Sequence, residues 1–281
     1  MMVVNCNTLL DVLIDKLSKI SWYKFKKKQF EVKKLKSENN LTVEVTIKDL
    51  PKSFSVPFPE KIIVKQYLRK KQTRKEIEVQ TLTEAVYKGI TVPKIIFYFG
   101  NFLVMEKVSG YSVNDLINDF EGSKLKEKEM IIKKLGHWMG DFHYLMALKE
   151  SWFCKGNPIL RKFLYDGENI IGLDFEESKI DDPLKDISTI VASILITEPG
   201  IYTQEIEAID WKFNLSQIFL VEYFYRLKAR GRSYEHDAKK LTDSIMDMVQ
   251  CYSTGHNKEM PYTKLNSVKE RLFSTLEQAF G

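Results

Sequence analysis

Asp174 is the residue in this sequence most suited to chemistry. It closes the run Ile170-Ile-Gly-Leu-Asp-Phe-Glu176, where an apolar strand pattern drives into the acidic cluster Asp174, Glu176 and Glu177. A carboxylate at a strand terminus is the hard oxygen donor that Mg²⁺ demands, and close phosphates would share the ion. The plainer reading of Asp174 is a turn or helix-capping carboxylate. Lys65 is the second candidate. It lies in a strand beside Ile62, Ile63 and Val64, where a lysine is ordinarily an exposed edge residue. The following helix offers it a partner: Glu78 shares a face with Leu82 and Ala85 at i, i+4 and i+7, so its carboxylate points with the packed side. A buried carboxylate requires a cation, and Lys65 is placed to supply it. Glu76 has a simpler use as the N3 partner of Thr73 in a capping box, and Glu84 falls about 240° around the helix from Glu78.

The elements that must hold these residues follow from periodicity. Thr8 to Ile20 repeats Leu10, Leu13, Ile14 and Leu17 on one helical face. Between Trp22 and Tyr67 the pattern shortens to three strands, among them Leu41–Ile47 and Lys61–Tyr67, divided by turn signals at Ser37–Asn40 and Pro51–Pro59. The helix from Arg74 to Lys88 ends at Gly89, where a left-handed terminator is wanted. Two strands follow, Lys94–Phe99 and Asn101–Lys107, then helices over Val113–Asn118 and Lys124–Leu148. A hairpin, Phe163–Tyr165 and Ile170–Phe175, turns at Asp166-Gly167-Glu168-Asn169. Asp182-Pro183 opens a further helix as N-cap and N1, and the tail from Gln204 is helical, with apolar stripes at Leu241, Ile245, Met248, Val249, Tyr252 and at Leu265, Val268, Leu272, Leu276. This order describes an α+β chain with its sheet in the first third.

A strand lysine, a helix glutamate and then Gly-Ile-x-Val-Pro resemble the protein-kinase-like superfamily, most closely its RIO-type and tRNA-modification-associated archaeal kinases. The matching residues are Arg74, Glu78, Gly89, Ile90, Val92 and Pro93. The resemblance implies that Lys65 contacts the α- and β-phosphates of ATP while Glu78 orients it. It makes Phe102-Leu-Val-Met-Glu-Lys-Val-Ser-Gly110 similar to a kinase hinge, with Met105 as gatekeeper and the backbone from Glu106 to Val108 meeting adenine; alone, the segment reads as a buried strand ending in a turn. Asp174-Phe-Glu resembles the Asp-Phe-Gly metal motif in the variant used by choline kinases and aminoglycoside phosphotransferases. Asp182-Pro-Leu-Lys-Asp186 is similar to their Asp-Pro-x-x-Asp, whose last Asp braces the catalytic loop. The implied fold is bilobal: residues 1–105 as a small antiparallel-sheet lobe with one key helix, residues 106–281 as a larger, mainly helical lobe. The resemblance covers about Glu60 to Ile196.

The catalytic loop departs from the family pattern His-Gly-Asp-x-x-x-x-Asn. Here it reads Lys155-Gly-Asn-Pro-Ile-Leu-Arg-Lys162, so Asn157 stands at the catalytic Asp and Lys162 at the metal-binding Asn. His143 matches a structural histidine of the preceding helix. An amide can bond an acceptor hydroxyl but cannot take its proton. Lysine cannot ligate Mg²⁺, although its ammonium could neutralise a phosphate oxygen where a second ion would sit. No glycine-rich loop is visible near Ser37–Asn40.

Composition narrows the remaining classes. The chain has 281 residues, 44% hydrophobic and 29% charged, which suits a soluble globular protein. The longest nearly apolar runs, Ile95–Met105 and Ile187–Ile196, fall short of the ~20 residues of a membrane span, and charges at Asp11, Asp15, Lys16 and Lys19 argue against a signal peptide. Cys6, Cys154 and Cys251 are odd in number and scattered, which points to a reducing, cytoplasmic setting. The cysteines and His137, His143, His236 and His256 lack zinc-ligand spacing, and no Walker A, dinucleotide or nucleophile-elbow motif occurs. Net charge is +5, yet Ser21–Lys75 carries 16 Lys or Arg against 5 Asp or Glu, or +11, leaving −6 elsewhere. That is a solvated lysine-rich surface or an attractor for nucleotide or RNA. Trp22, Tyr23 and Phe25 among Lys24 and Lys26–Lys28 could stack on single strands, or form an amphipathic strand. The expectation is an ATP- and Mg²⁺-dependent phosphotransferase of the atypical or small-molecule kinase type, its small-molecule or protein acceptor unspecified. The alternatives are a pseudokinase that binds nucleotide or scaffolds without useful turnover, and a basic RNA-associated protein.

Overall fold

A computed structural model describes residues 6–21, 24–35, 37, 40–50, 58–68, 71–119, 124–255 and 260–280. The chain divides into two compact units. The first comprises residues 1–83 and 93–108, the second residues 84–92 and 109–281. Among the predicted features, the Pro51–Pro59 stretch up to residue 57, Trp22, Tyr23 and His256 lie outside the described residues.

In the first unit, α1 (Cys6–Ser21) precedes β1 (Phe30–Lys34), β2 (Leu41–Ile47) and β3 (Lys61–Gln66). Helix α2 (Gln72–Tyr87) follows and runs into the second unit, and then β4 (Ile95–Phe99) and β5 (Phe102–Glu106) return to the sheet. The strands form one antiparallel sheet in the order β1-β2-β3-β5-β4. Strand side chains alternate between faces, so Val43, Val45, Ile47, Ile62, Val64, Phe102 and Val104 share one face and bury it against Leu9, Leu10, Leu13 and Leu17 of α1. The predicted stripe of α1 is therefore the cover of the sheet. Phe25 belongs to the same core, edge-to-face with Phe30 at 5.5 Å between centroids, which removes it from the suggested base-stacking pattern.

The start of α2 differs from expectation. The helix begins at Gln72, which puts Thr73 inside the first turn rather than at an N-cap, so Thr73 and Glu76 do not form the expected capping box. Its end is as the glycine indicates. Gly89 has φ +76°, its N–H donates to Val86 at 3.1 Å, and Ile90 N–H reaches back to Ala85 at 2.9 Å, a Schellman closure. The chain after it is tied to the second unit: Lys88 Nζ donates to the Leu145 carbonyl at 2.7 Å, and the Thr91 carbonyl accepts from Gly172 N–H and Trp138 Nε1, each at 3.2 Å.

The second unit holds β6 (Tyr111–Ser112), α3 (Val113–Asn118), α4 (Leu125–Met146), β7 (Phe153–Cys154), β8 (Phe163–Tyr165), β9 (Ile170–Gly172), β10 (Lys179–Ile180), α5 (Pro183–Ile196), α6 (Asp210–Ala229), α7 (Ala238–Gly255) and α8 (Tyr262–Phe280). Helix α4 packs along α6 through Gly136 and Gly140: a Cβ at Gly136 would lie 2.8 Å from the Phe219 carbonyl oxygen, and one at Gly140 would lie 2.9 Å from Arg226 Cβ. Asp141 clamps the same pair of helices, accepting from Arg226 at 2.8 and 2.9 Å and from Arg230 at 2.9 Å. Burial works against ionisation there, but the hydrogen bonds from Arg226 and Arg230 outweigh it and hold the Asp141 carboxyl below its ordinary range. Helix α5 opens on Asp182, whose side chain accepts the Leu184 N–H at 2.9 Å, with Pro183 at the first position as predicted. Nearly all of α5 is buried, its polar residues Asp186 and Ser193 included. Its C-terminal carbonyls, which no helical N–H can reach, are met by Lys212 of α6: the ammonium donates to Ile194 at 2.8 Å and to Thr197.

Candidate active site

Lys65 is not an edge residue. Strand β3 is central, with Lys65 opposite Thr42 of β2 and Leu103 of β5. Because Ile62 and Val64 fill the α1 face, the alternation sends Lys65 to the other face, and Tyr67 with it. There Lys65 Nζ lies 2.7 Å from Glu78 Oε2 of α2, with the residues only 6% and 1% exposed. The Tyr67 hydroxyl donates to the same carboxylate oxygen, and the ammonium stands 5.2 Å from the Tyr67 ring centroid. Tyr67 is itself fixed by Asn101: its N–H donates to the Asn101 carbonyl at 2.9 Å, and the Asn101 amide donates to the Tyr67 carbonyl at 2.8 Å. Glu76 and Glu84 are exposed, so Glu78 alone of the three carboxylates points inward. Sequence reasoning missed Tyr67; the signal was its i+2 relation to Lys65.

The segment expected to meet adenine is only partly available. Met105 is buried in β5, opposite Ile63 of β3. Glu106 N–H donates to the Lys94 carbonyl at 3.0 Å while its carboxylate accepts the Lys94 N–H at 3.0 Å, and Lys107 N–H donates to the Lys61 carbonyl at 3.3 Å. The sheet therefore uses the amides of Glu106 and Lys107. Val108 follows beyond the strand, half-buried.

In the second unit, the expected strand through Phe175 stops at Gly172, and Asp174 takes φ +59°, a left-handed backbone that short polar residues tolerate best. Four contacts hold this turn. Leu173 N–H donates to the Lys162 carbonyl at 2.9 Å. Lys155 Nζ donates to the carbonyls of Leu173 at 2.6 Å and Asp174 at 2.9 Å. Lys162 Nζ forms an ion pair with Asp174 Oδ2 at 2.8 Å. Lys155 is fully buried, its ammonium 4.7 Å from the Phe175 ring centroid and 5.4 Å from that of Phe163. Nothing in the sequence marked it beyond its place before Gly156. Carboxylate oxygens of Asp174 and the buried Glu176 come within 4.8 Å of one another, a pair of hard donors of the kind magnesium takes.

The loop bearing Asn157 is braced from α5. Asp186, in the first turn, accepts from Lys155 N–H at 2.6 Å and Gly156 N–H at 3.0 Å, and its Oδ2 lies 3.1 Å from His143 Nε2. A carboxylate in a first turn also sits favourably against the helix dipole. His143 Nδ1 meets the Tyr223 hydroxyl at 2.8 Å; burial, and then the Asp186 charge, push that hydroxyl's pKa well up, so it remains protonated. Gly156 is required by geometry: its φ is +94°, and a Cβ there would lie 2.1 Å from the Glu177 carbonyl oxygen. Asn157 is half-buried, and its carbonyl accepts the Ile159 N–H at 3.1 Å.

An antiparallel five-stranded sheet with a central-strand lysine paired to a helix glutamate, followed by helices and a short hairpin, is an α+β fold that solved kinases share. Solved structures agree. Choline kinase from Cryptosporidium parvum Iowa II superposes with a TM-score of 0.53 at 12% identity, covering 95% of each chain. A choline/ethanolamine kinase family protein from Mesorhizobium loti gives 0.52 at 12% identity over 95% of this chain and 99% of that one. Amicoumacin kinase, solved with AMP-PNP, Ca²⁺ and Ami, gives 0.53 at 14% identity over 95% and 93%. No protein-family model and no curated protein matches the sequence.

Proposed function

We propose that the chain is an ATP-dependent phosphotransferase of the small-molecule kinase type, slowed by its catalytic loop. The observation that carries this reading is the buried Lys65–Glu78 pair, formed on the central strand and helix of a kinase-like fold. A buried ion pair contributes little to stability compared with well-packed apolar residues, so its presence calls for another use. The reading gives it one: Lys65, held by Glu78 and Tyr67, is the cation for the α- and β-phosphates. Met105 would border the adenine, and the Val108 amide would be its donor, since the sheet uses those of Glu106 and Lys107.

Asp174 and Glu176 have the hard oxygen donors that suit Mg²⁺, and the bound ion would neutralise phosphate charge. Asn157 would orient the acceptor hydroxyl without taking its proton. Phosphoryl transfer rests mainly on positioning and charge stabilisation, so the missing base lowers the rate by roughly 10²–10⁴ and does not abolish it. Asp186 and His143 support the loop through its backbone and stay outside the chemistry. AMP-PNP in the amicoumacin kinase structure supports a nucleotide in this fold. Magnesium-dependent phosphate release from ATP, lost in Lys65→Met and in Asp174→Asn, is the expected result. Turnover that both variants keep unchanged contradicts the reading.

A second reading, a nucleotide-binding pseudokinase, is favoured by Asn157 and by the Lys162–Asp174 ion pair. Thermal stabilisation by ATP with no phosphate release in a sensitive assay selects it; turnover rejects it.

A further inference from the structure

In two-ion kinase chemistry, one divalent cation is held by the metal-motif aspartate and a second by an asparagine of the catalytic loop. This chain has an ammonium where that asparagine would be. Lys162 Nζ is 2.8 Å from Asp174 Oδ2, and the Lys162 side chain is 14% exposed, so a cation already sits on one oxygen of the metal-motif carboxylate. The backbone makes this placement rigid: Lys162 carbonyl accepts the Leu173 N–H at 2.9 Å, and Lys162 N–H donates to the Ile159 carbonyl at 2.8 Å. A second buried lysine, Lys155, donates to the consecutive backbone carbonyls of Leu173 and Asp174. Two ammonium groups therefore converge on Asp174, one on its side chain and one on its backbone.

We propose that Lys162 replaces one of the two divalent cations, so that this chain holds its nucleotide with a single Mg²⁺. The proposal rests on the nucleotide-binding reading above. The Lys162 ammonium on this carboxylate, with the Lys155 ammonium on the adjoining backbone carbonyls, raises the electrostatic cost of a second dication there, since like charges a few ångströms apart repel strongly where water is partly excluded. A Lys ammonium is also a compact point charge able to meet a phosphate oxygen directly. The carboxylates of Asp174 and Glu176, whose oxygens lie within 4.8 Å of one another, suit one ion completed by water and phosphate, which is how magnesium is usually bound.

The test counts ions and measures affinity rather than turnover. Mn²⁺ bound per ATP-loaded chain is read by electron paramagnetic resonance for the unaltered protein and for Lys162→Asn, with ATP affinity measured calorimetrically across Mg²⁺ concentration. The expected result is one Mn²⁺ in the unaltered protein and two in Lys162→Asn. ATP affinity should plateau once Mg²⁺ matches ATP in the unaltered protein and tighten about tenfold further with excess Mg²⁺ in the variant. Two ions in the unaltered protein, or a variant that still binds one, overturns the proposal while the nucleotide reading stands. ATP that binds with no divalent ion at all also overturns it. Absence of ATP binding under every condition overturns both.

Discussion

At the scale of single residues, the buried charges are the informative ones. Glu78 and Lys65 form a buried ion pair at 2.7 Å, so removing one takes a buried counter-charge from the other. Glu78→Leu should cost about 3–5 kcal/mol in urea unfolding, whereas the double change Lys65→Met with Glu78→Leu should cost much less. Equal losses in single and double variants would show that the ion pair is not the relevant unit. Lys212 offers a pH signature. Burial is the main cause that brings its pKa down from 10.5 to about 7, with the Glu198 charge opposing. Between these values the unfolded chain holds a proton that the folded chain has shed, so stability rises with pH across roughly 7 to 10 and is flat in this respect below 7. The urea midpoint of the unaltered protein should climb over that window relative to Lys212→Met, by at most about 3–5 kcal/mol in free energy. Parallel curves would contradict the assignment. Both effects follow from side chains whose charge was legible in the sequence. Their burial was legible only for Glu78, where helical spacing with Leu82 and Ala85 gave the face. Lys212, next to Trp211 in a polar-looking stretch, carried no such mark.

At the scale of elements, close approach decides. Ala is a better helix former than Gly by about 1 kcal/mol, so an unpacked Gly136→Ala would stabilise α4. Here the new Cβ would meet the Phe219 carbonyl at 2.8 Å and the Tyr223 backbone nitrogen at 3.1 Å, neither of which can swing away. Overpacking of this kind costs about 1–3 kcal/mol, and the net change should be a loss seen as a lowered urea midpoint. A gain would mean that α4 and α6 are less closely packed than described. The features the sequence predicted best are those with local signals: the Asp182-Pro183 start of α5 and the Gly89 closure of α2, where capping chemistry and a left-handed glycine act within a few residues. The end of β9 was misread because its cause is distant in sequence. Asp174 leaves the strand because Lys155 and Lys162, from another loop, seize its backbone and side chain.

At the scale of the whole molecule, the order of elements was enough to indicate the fold, because a lysine strand, a glutamate helix and an aspartate hairpin recur at spacings that few architectures share. The pairing of Lys65 with Glu78 could be read from the need to neutralise a buried carboxylate. The ion pair between Lys162 and Asp174 could not, since it needs the backbone turn at residue 174. The net excess of basic residues in Ser21–Lys75 adds a field that would draw anionic nucleotide, an effect that salt weakens. The most direct measurement is calorimetric titration of ATP with Mg²⁺ into the unaltered protein, Lys65→Met and Asp174→Asn, with circular dichroism confirming that each is folded. Saturable binding to the unaltered protein and at least tenfold weaker binding to each variant are expected. Affinity that is absent in the unaltered protein, or undiminished in both variants, would contradict the proposed function.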